Sequence, residues 1–352
     1  MRRVVGIVLL TLGVFALTFG VLLRTVVYDQ LAVAPLDPDV ETVAQGTGMT
    51  VFYPASAKDT TIEPVRTDAT VTARRVVGGK LDAQEVVKDG KLGPDTEVLG
   101  DVALWRVGLV VEDENKNLVN AVEQWVCVDR RTAEGVKPCS QQKVDDGSGQ
   151  PATTEVDMSG LNYKFPFRTE QKNYTFFDIT LRKATPISYN GTETINGLDT
   201  YRFVQTIEPV QLDTREVPGA LVNQPGVPTV SATRWYSNVR TLWVEPLSGT
   251  IVKGQEQVRQ VLRGPDGQDG QVLLAGTLTF TDQTVARQVD SASEAAGKLR
   301  LLTSTGPWTA WILGALLIAG ALFLLFGPDR YIKTRHRRGR APEPVTERVP
   351  VG

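Results

Sequence analysis

Residues 4–23 read VVGIVLLTLGVFALTFGVLL and residues 308–326 read WTAWILGALLIAGALFLLF, twenty and nineteen consecutive positions without a charge in a chain of 352. A helix needs roughly 20 predominantly apolar residues to cross hydrocarbon, so both runs read as transmembrane helices. The first run also resembles a secretory signal, because Arg2 and Arg3 precede it and Ala32-Val33-Ala34 has the small-residue pattern of a cleavage site. Its apolar core exceeds the roughly 7–15 residues of a signal, and Arg24 follows it directly. Span length therefore favours an uncleaved anchor.

Lys and Arg close to a span concentrate on the cytoplasmic side. Arg330, Lys333, Arg335, Arg337, Arg338 and Arg340 follow the second span, and Arg2 and Arg3 precede the first. The expected layout is a cytoplasmic N-terminus (1–3), a first span (4–23), an extracytoplasmic β domain (24–282), an amphipathic stalk helix (283–307), a second span (308–326) and a basic cytoplasmic tail (327–352). This is a two-pass plasma-membrane protein with both termini inside, and Arg24 is the one dissenting charge. With Arg24 and the two tails set aside, 28 basic residues face 37 acidic ones. An acidic outer domain argues against nucleic acid as a partner, since that needs a basic footprint.

Between the spans, short alternating runs are punctuated by Gly, Pro, Asn and Asp, which predicts a mainly β fold. The expectation is a large antiparallel ectodomain, barrel-like or sandwich. Leu104 to Glu112 and Leu118 to Asp129 flank the polar turn from Asp113 to Asn117, and a second hairpin turns between Asn190-Gly191 and Asn196-Gly197 into a strand from Thr200 to Thr206. Thr241 to Glu245, Thr250 to Leu262 and Gln271 to Thr281 read as a three-stranded meander. After Asp282 as a cap, Val285, Val289, Ala292, Ala296 and Leu299 recur at helical spacing and predict an amphipathic helix.

The chain has two cysteines, Cys127 and Cys139, both in the part assigned outside. An oxidising compartment favours one disulfide closing a short loop, and the alternative is two buried free thiols. The only histidine, His336, lies in the basic tail, so the outer domain lacks the residue that serves most general-base, triad and zinc chemistry. No glycine loop stands in phosphate-binding context. Asp145-Asp146 and Glu112-Asp113-Glu114 read as solvated loop charges rather than paired catalytic carboxylates. These readings predict no enzyme activity, no catalytic residues, no metal and no cofactor.

Six aromatic residues fall within 15 positions, at Tyr163, Phe165, Phe167, Tyr174, Phe176 and Phe177. On a strand Tyr163, Phe165 and Phe167 would share one face, with Pro166 marking an edge or bulge. Such a cluster either anchors a core or lines an apolar cavity; the candidate wall is Tyr163, Phe165, Phe167, Phe176 and Phe177. In the spans, Gly6, Gly13 and Gly20 repeat every seven residues, and Ala310 and Gly314 belong to a similar stripe. Small residues at that spacing allow close approach of a helix partner or self-association.

The stretch from Gly160 to Phe167 (GLNYKFPF), then Tyr174, Asp178, Tyr189, Asn196-Gly197-Leu198 and Tyr201-Arg202-Phe203, with Leu242-Trp243-Val244-Glu245-Pro246 and Gly249, resembles the actinobacterial family called porin PorA, formerly a domain of unknown function. The resemblance runs from the first span through the second and brings no catalytic residues with it. The family's name implies an outer-envelope pore. The layout is also similar to that of class B scavenger receptors, whose ectodomain encloses a lipid tunnel. From these features the expected function is non-enzymatic binding or transfer of an apolar cell-envelope lipid or lipoglycan, with pore formation by an oligomer, or scaffolding of an envelope complex, as alternatives.

Overall fold

The computed structural model describes residues 1–53, 64–81, 101–137, 139, 141–146 and 156–327. The basic tail from Arg330 to Arg340, with His336, falls outside these residues. Two compact units are present, Met1–Gly20 with Trp308–Gly352, and Val21–Pro307.

The first unit pairs the apolar part of helix α1 (Arg2–Leu22) with helix α4 (Gly306–Phe326). Gly6, Gly13 and Gly20 are the buried positions of α1. A methyl added to Gly13 would stand 2.6 Å from Ile318 Cγ1 and 2.9 Å from the Gly314 carbonyl, so the two backbones touch where neither has a side chain. The Trp311 indole N–H donates to Leu17 O at 3.2 Å, and the Arg2 guanidinium donates to Gly327 O at 3.1 Å. The pair is thus antiparallel, with Arg2 and Gly327 at one end. Thr11 and Thr18 return their hydroxyls to the carbonyls four residues earlier, which leaves no side-chain donor facing hydrocarbon unsatisfied at these positions.

The second unit is built on eleven strands: β1 (Val40–Phe52), β2 (Val65–Leu81), β3 (Val102–Asp113), β4 (Leu118–Asp129), β5 (Lys143–Asp145), β6 (Tyr174–Asp178), β7 (Lys183–Ile195), β8 (Leu198–Val217), β9 (Val230–Val244), β10 (Ile251–Arg263) and β11 (Asp269–Phe280). They form one antiparallel sheet in the order β5-β4-β3-β2-β1-β11-β10-β9-β8-β7-β6. Two meanders are therefore joined by the pairing of the first strand with the last, Ala44 opposite Phe280 and Thr50 opposite Ala275. The sheet curls, with β5 and β6 as its edge strands among the described residues, which is the barrel-like form of the expected β domain.

Between the Val128 end of β4 and the edge strand β6 the chain itself makes a bridge, with Gly135 opposite Val128 and Leu161 opposite Glu134 and Phe176. Gly135 N donates to Gly160 O at 2.9 Å, Leu161 N donates to Thr175 O at 2.9 Å, and Phe177 N donates to Leu161 O at 3.0 Å. Covering an edge this way removes a template for intermolecular pairing. The same region holds the disulfide between Cys127 on β4 and Cys139, packed with Val102 and Leu104. Its loop spans 12 residues. Loop-closure entropy at that length gives about 2–3 kcal/mol, so the double variant Cys127→Ala/Cys139→Ala is expected to unfold at a clearly lower temperature. An unchanged melting midpoint would refute that contribution.

Several turns differ from their sequence reading. Asn196 and Gly197, at φ 48° and 83°, make the tight β7–β8 turn, whereas Asn190-Gly191 sits inside β7 as a bulge, where the register skips between Tyr189 and Thr192. Positive φ serves a bulge as well as a turn. Asp113 is not a solvated loop charge: it is 2% exposed and accepts from Asn115 N, Asn117 N, Tyr53 Oη and Arg66. Burial alone would raise its pKa, but these donors outweigh burial and hold it below the usual range.

A short helix, α2 (Tyr28–Leu31), precedes a segment pinned to the sheet, with Ala34 N donating to Arg130 O at 2.8 Å and Arg130 Nε to Ala34 O at 2.6 Å. Helix α3 (Asp282–Arg300) is capped by Thr281, whose hydroxyl accepts from Thr284 N, rather than by Asp282. Its buried stripe Val285, Val289 and Ala292 packs on Ile195, Trp243 and Val252 of the sheet.

Candidate functional site

Inside the curled sheet lies a cavity of about 610 Å³, bounded by strands β1–β3 and β9–β11, helix α3 and the irregular chain around residues 163–167. This is within the roughly 300–1,000 Å³ of small-molecule sites. Most of the wall is apolar, with Val77, Trp105, Leu109, Leu242, Leu278 and Phe280 from the strands and Leu299 and Leu302 near the end of α3.

Residues 163–167 do not form the strand that alternation suggested. Tyr163 and Arg168 adopt left-handed φ of 61° and 55°, which turns the chain at both ends of the motif and removes the common face. Tyr163 and Phe167 contribute to the cavity wall together with Phe176 and Phe177. Phe165 does not: it is fully buried behind the wall, with ring centroids 4.6 Å from Phe203, 5.6 Å from Tyr174 and 6.0 Å from Phe176.

The Tyr-Lys-Phe-Pro-Phe and Trp-Val-Glu-Pro segments, far apart in sequence, meet here. Phe165 N donates to Gly249 O at 2.9 Å, Arg168 N to Leu247 O at 3.1 Å and Thr169 N to Pro246 O at 2.7 Å. Gly249 has φ 72°, and a Cβ on it would stand 2.1 Å from Phe165 O, so only glycine fits this approach. The Glu245 carboxylate fixes the turn by accepting from Leu247 N and Ser248 N. Lys164 also ties the two segments, since its ammonium donates to the carbonyls of Phe165 and Ser248 and lies 3.7 Å from the centroid of the Phe167 ring. Burial pushes this lysine down to about 7 against the opposing pull of Glu245.

A second polar group stands among the apolar walls. Arg240 on β9 donates to Asp178 at 3.0 Å, to Glu256 at 3.0 Å and to Gln205 Oε1 at 2.6 Å, while Tyr236 donates to Asp178 and Asn238 to Glu256. Burial would lower the Arg240 pKa, but Glu256 and Asp178 outweigh it and keep the guanidinium charged. Burial would raise Glu256, yet Arg240 and then Arg75 hold it below its ordinary range. The Arg75 guanidinium lies 5.7 Å from the centroid of the Tyr163 ring, and burial pushes the Tyr163 phenol up to about 12. Asn238 Oδ1 is buried without a partner among the described residues.

The full-length resemblance is now decisive. The model of the family described as Porin PorA matches residues 5–323, which takes in both apolar helices and all eleven strands. The chain belongs to the Porin PorA family. Two proteins named Porin PorA are similar along most of their length: one from Corynebacterium resistens, 26% identical over 97% of this chain and 99% of its own, and one from Corynebacterium amycolatum, 26% identical over 90% and 97%. As a Porin PorA member with two terminal apolar helices, this is a membrane protein.

Of the five aromatics named from the sequence, Tyr163, Phe167, Phe176 and Phe177 border the cavity, beside Arg75, Lys164, Arg240 and Glu256, which sequence reasoning did not name as site residues. Tyr236, Asn238, Arg240 and Leu242 are all buried at alternate positions of β9, so a period-two signal was present. It ran through polar residues, where hydrophobic alternation does not register.

Proposed function

We propose that this protein is a pore-forming membrane protein and that conduction requires several copies. The observation that carries the reading is similarity along nearly the entire chain to proteins named Porin PorA. The oligomer follows from physical limits on one copy. Two helices without an ionisable residue in residues 4–23 and 308–326 do not line an aqueous path. Nor does the curled sheet offer one, because its interior carries apolar side chains and a closed ionic cluster. Both termini lie in the cytoplasm and the β domain outside in this proposal, an orientation that rests on the arginines after the second span.

Purified full-length protein added to a planar bilayer is expected to give stepwise conductance whose onset rises steeply with protein concentration. A silent bilayer at every concentration, with the protein verified as inserted, would sink the pore reading.

The cavity favours a second reading, in which the β domain holds an apolar envelope component such as a lipid or lipoglycan. Its largely apolar walls, served by aromatic rings, resemble ligand space more than solvent space. Mass spectrometry of molecules that survive gentle detergent purification tests this, and a ligand-free protein would count against it.

A further inference from the structure

We propose that Lys164 receives the anionic head of a long-chain amphiphile whose alkyl chain occupies the cavity. The inference rests on the reading of the cavity as ligand space and adds the chemical class of the ligand. Four cations line this cavity, Arg75, Lys164, Arg240 and Lys298, against one lining carboxylate, Glu256. Two of the four are held in ion pairs, and a third acts on a carboxylate of this same cavity. Arg240 is held between Asp178 and Glu256, Lys298 pairs with Glu294 at 2.6 Å, and Arg75 acts on Glu256 while facing the Tyr163 ring.

Lys164 differs. Its hydrogen bonds go to two backbone carbonyls, and among the described residues no carboxylate stands within ion-pair distance of it. Glu245, the carboxylate that acts on it from further off, is engaged by the backbone of Leu247 and Ser248. Carbonyls and the Phe167 ring orient an ammonium without neutralising it. Burying a charge in apolar surroundings is costly unless a counter-charge accompanies it. The depressed pKa of Lys164 expresses that cost, and an incoming anion removes it. The walls around Lys164 are otherwise greasy, with Phe167, Leu247 and Leu302 packed against the cluster of Tyr28, Ala32 and Leu299. A small hydrophilic anion would gain nothing from them, whereas an amphiphile uses both features. Carboxylate and phosphate heads share the required chemistry.

The test uses the full chain in phosphatidylcholine nanodiscs, equilibrated with palmitate, hexadecyl phosphate or methyl palmitate, and native mass spectrometry to count retained ligand. Wild-type protein is expected to retain at least one anionic probe about tenfold over the neutral ester, and the better of the two identifies a carboxylate or a phosphate head. Lys164→Met should bring that ratio to about one while the ester is still retained, which also shows that the variant is folded. Lys164→Arg should restore the preference. Equal retention of acid and ester by wild type overturns the proposal and leaves the cavity reading standing. So does a preference that survives Lys164→Met or disappears instead in Arg75→Met. Retention of none of the three probes by wild type defeats the ligand-space reading, and the proposal with it.

Discussion

Arg240→Met is expected to destabilise the β domain by about 3–5 kcal/mol, the range for removing one partner of a buried ion pair. The substitution nearly preserves apolar volume but abandons two carboxylates. Asp178 has no side-chain exposure, and Glu256 keeps 28%. With Arg240 gone, Asp178 retains only Tyr236 and a backbone N–H as donors, and Glu256 retains Asn238. Replacing Arg240, Asp178 and Glu256 together by apolar residues should recover most of the loss, because the desolvation cost then disappears with the charges. Denaturant unfolding followed by tryptophan fluorescence measures both variants. A loss below about 1 kcal/mol for Arg240→Met would place the pair in the range of solvated surface bridges and refute the buried network.

The second large effect separates two rings of one motif. Phe165→Ala should cost about 3–5 kcal/mol, the usual price of an aromatic deleted from a packed core. Phe165 is fully buried against Phe203, Tyr174 and Phe176, and its backbone is clamped to Gly249, so the hole has little freedom to collapse. Phe167→Ala should cost much less, because that ring borders space that already exists. Its effect belongs on ligand retention. Equal losses for the two variants would mean that the cavity wall is packed as tightly as the core behind it.

What the sequence disclosed was set by which physical signals are local. Span length is a sum over a few residues, so the presence of the two terminal apolar helices was readable. The β3–β4 hairpin and the β9–β11 meander were equally plain, because polar turn residues separate alternating apolar runs. The start of β9 was missed: Asn238 and Arg240 face inward, and hydrophobic alternation fails wherever the interior is polar. The 163–167 motif was read as a strand because backbone turns at Tyr163 and Arg168 are unusual for such residues and leave no compositional mark. Strand alternation would likewise turn Lys164 away from the rings, whereas its ammonium lies over the Phe167 ring. Its surroundings depend on Ser248 and Glu245, more than 80 positions away, and such a contact exists only after the sheet has curled.

The pairing of β1 with β11 also governs the order in which the sheet can be assembled. Residue 44 has no partner on that side until residue 280 has been synthesised, so the N-terminal meander must wait with an open edge while more than 200 residues follow it. Contacts of such sequence separation form slowly, and an unpaired strand invites association with other chains in the interval. Synthesis of this protein therefore places its greatest aggregation hazard before the last strand arrives, and the first half of the sheet is where a holding chaperone would act.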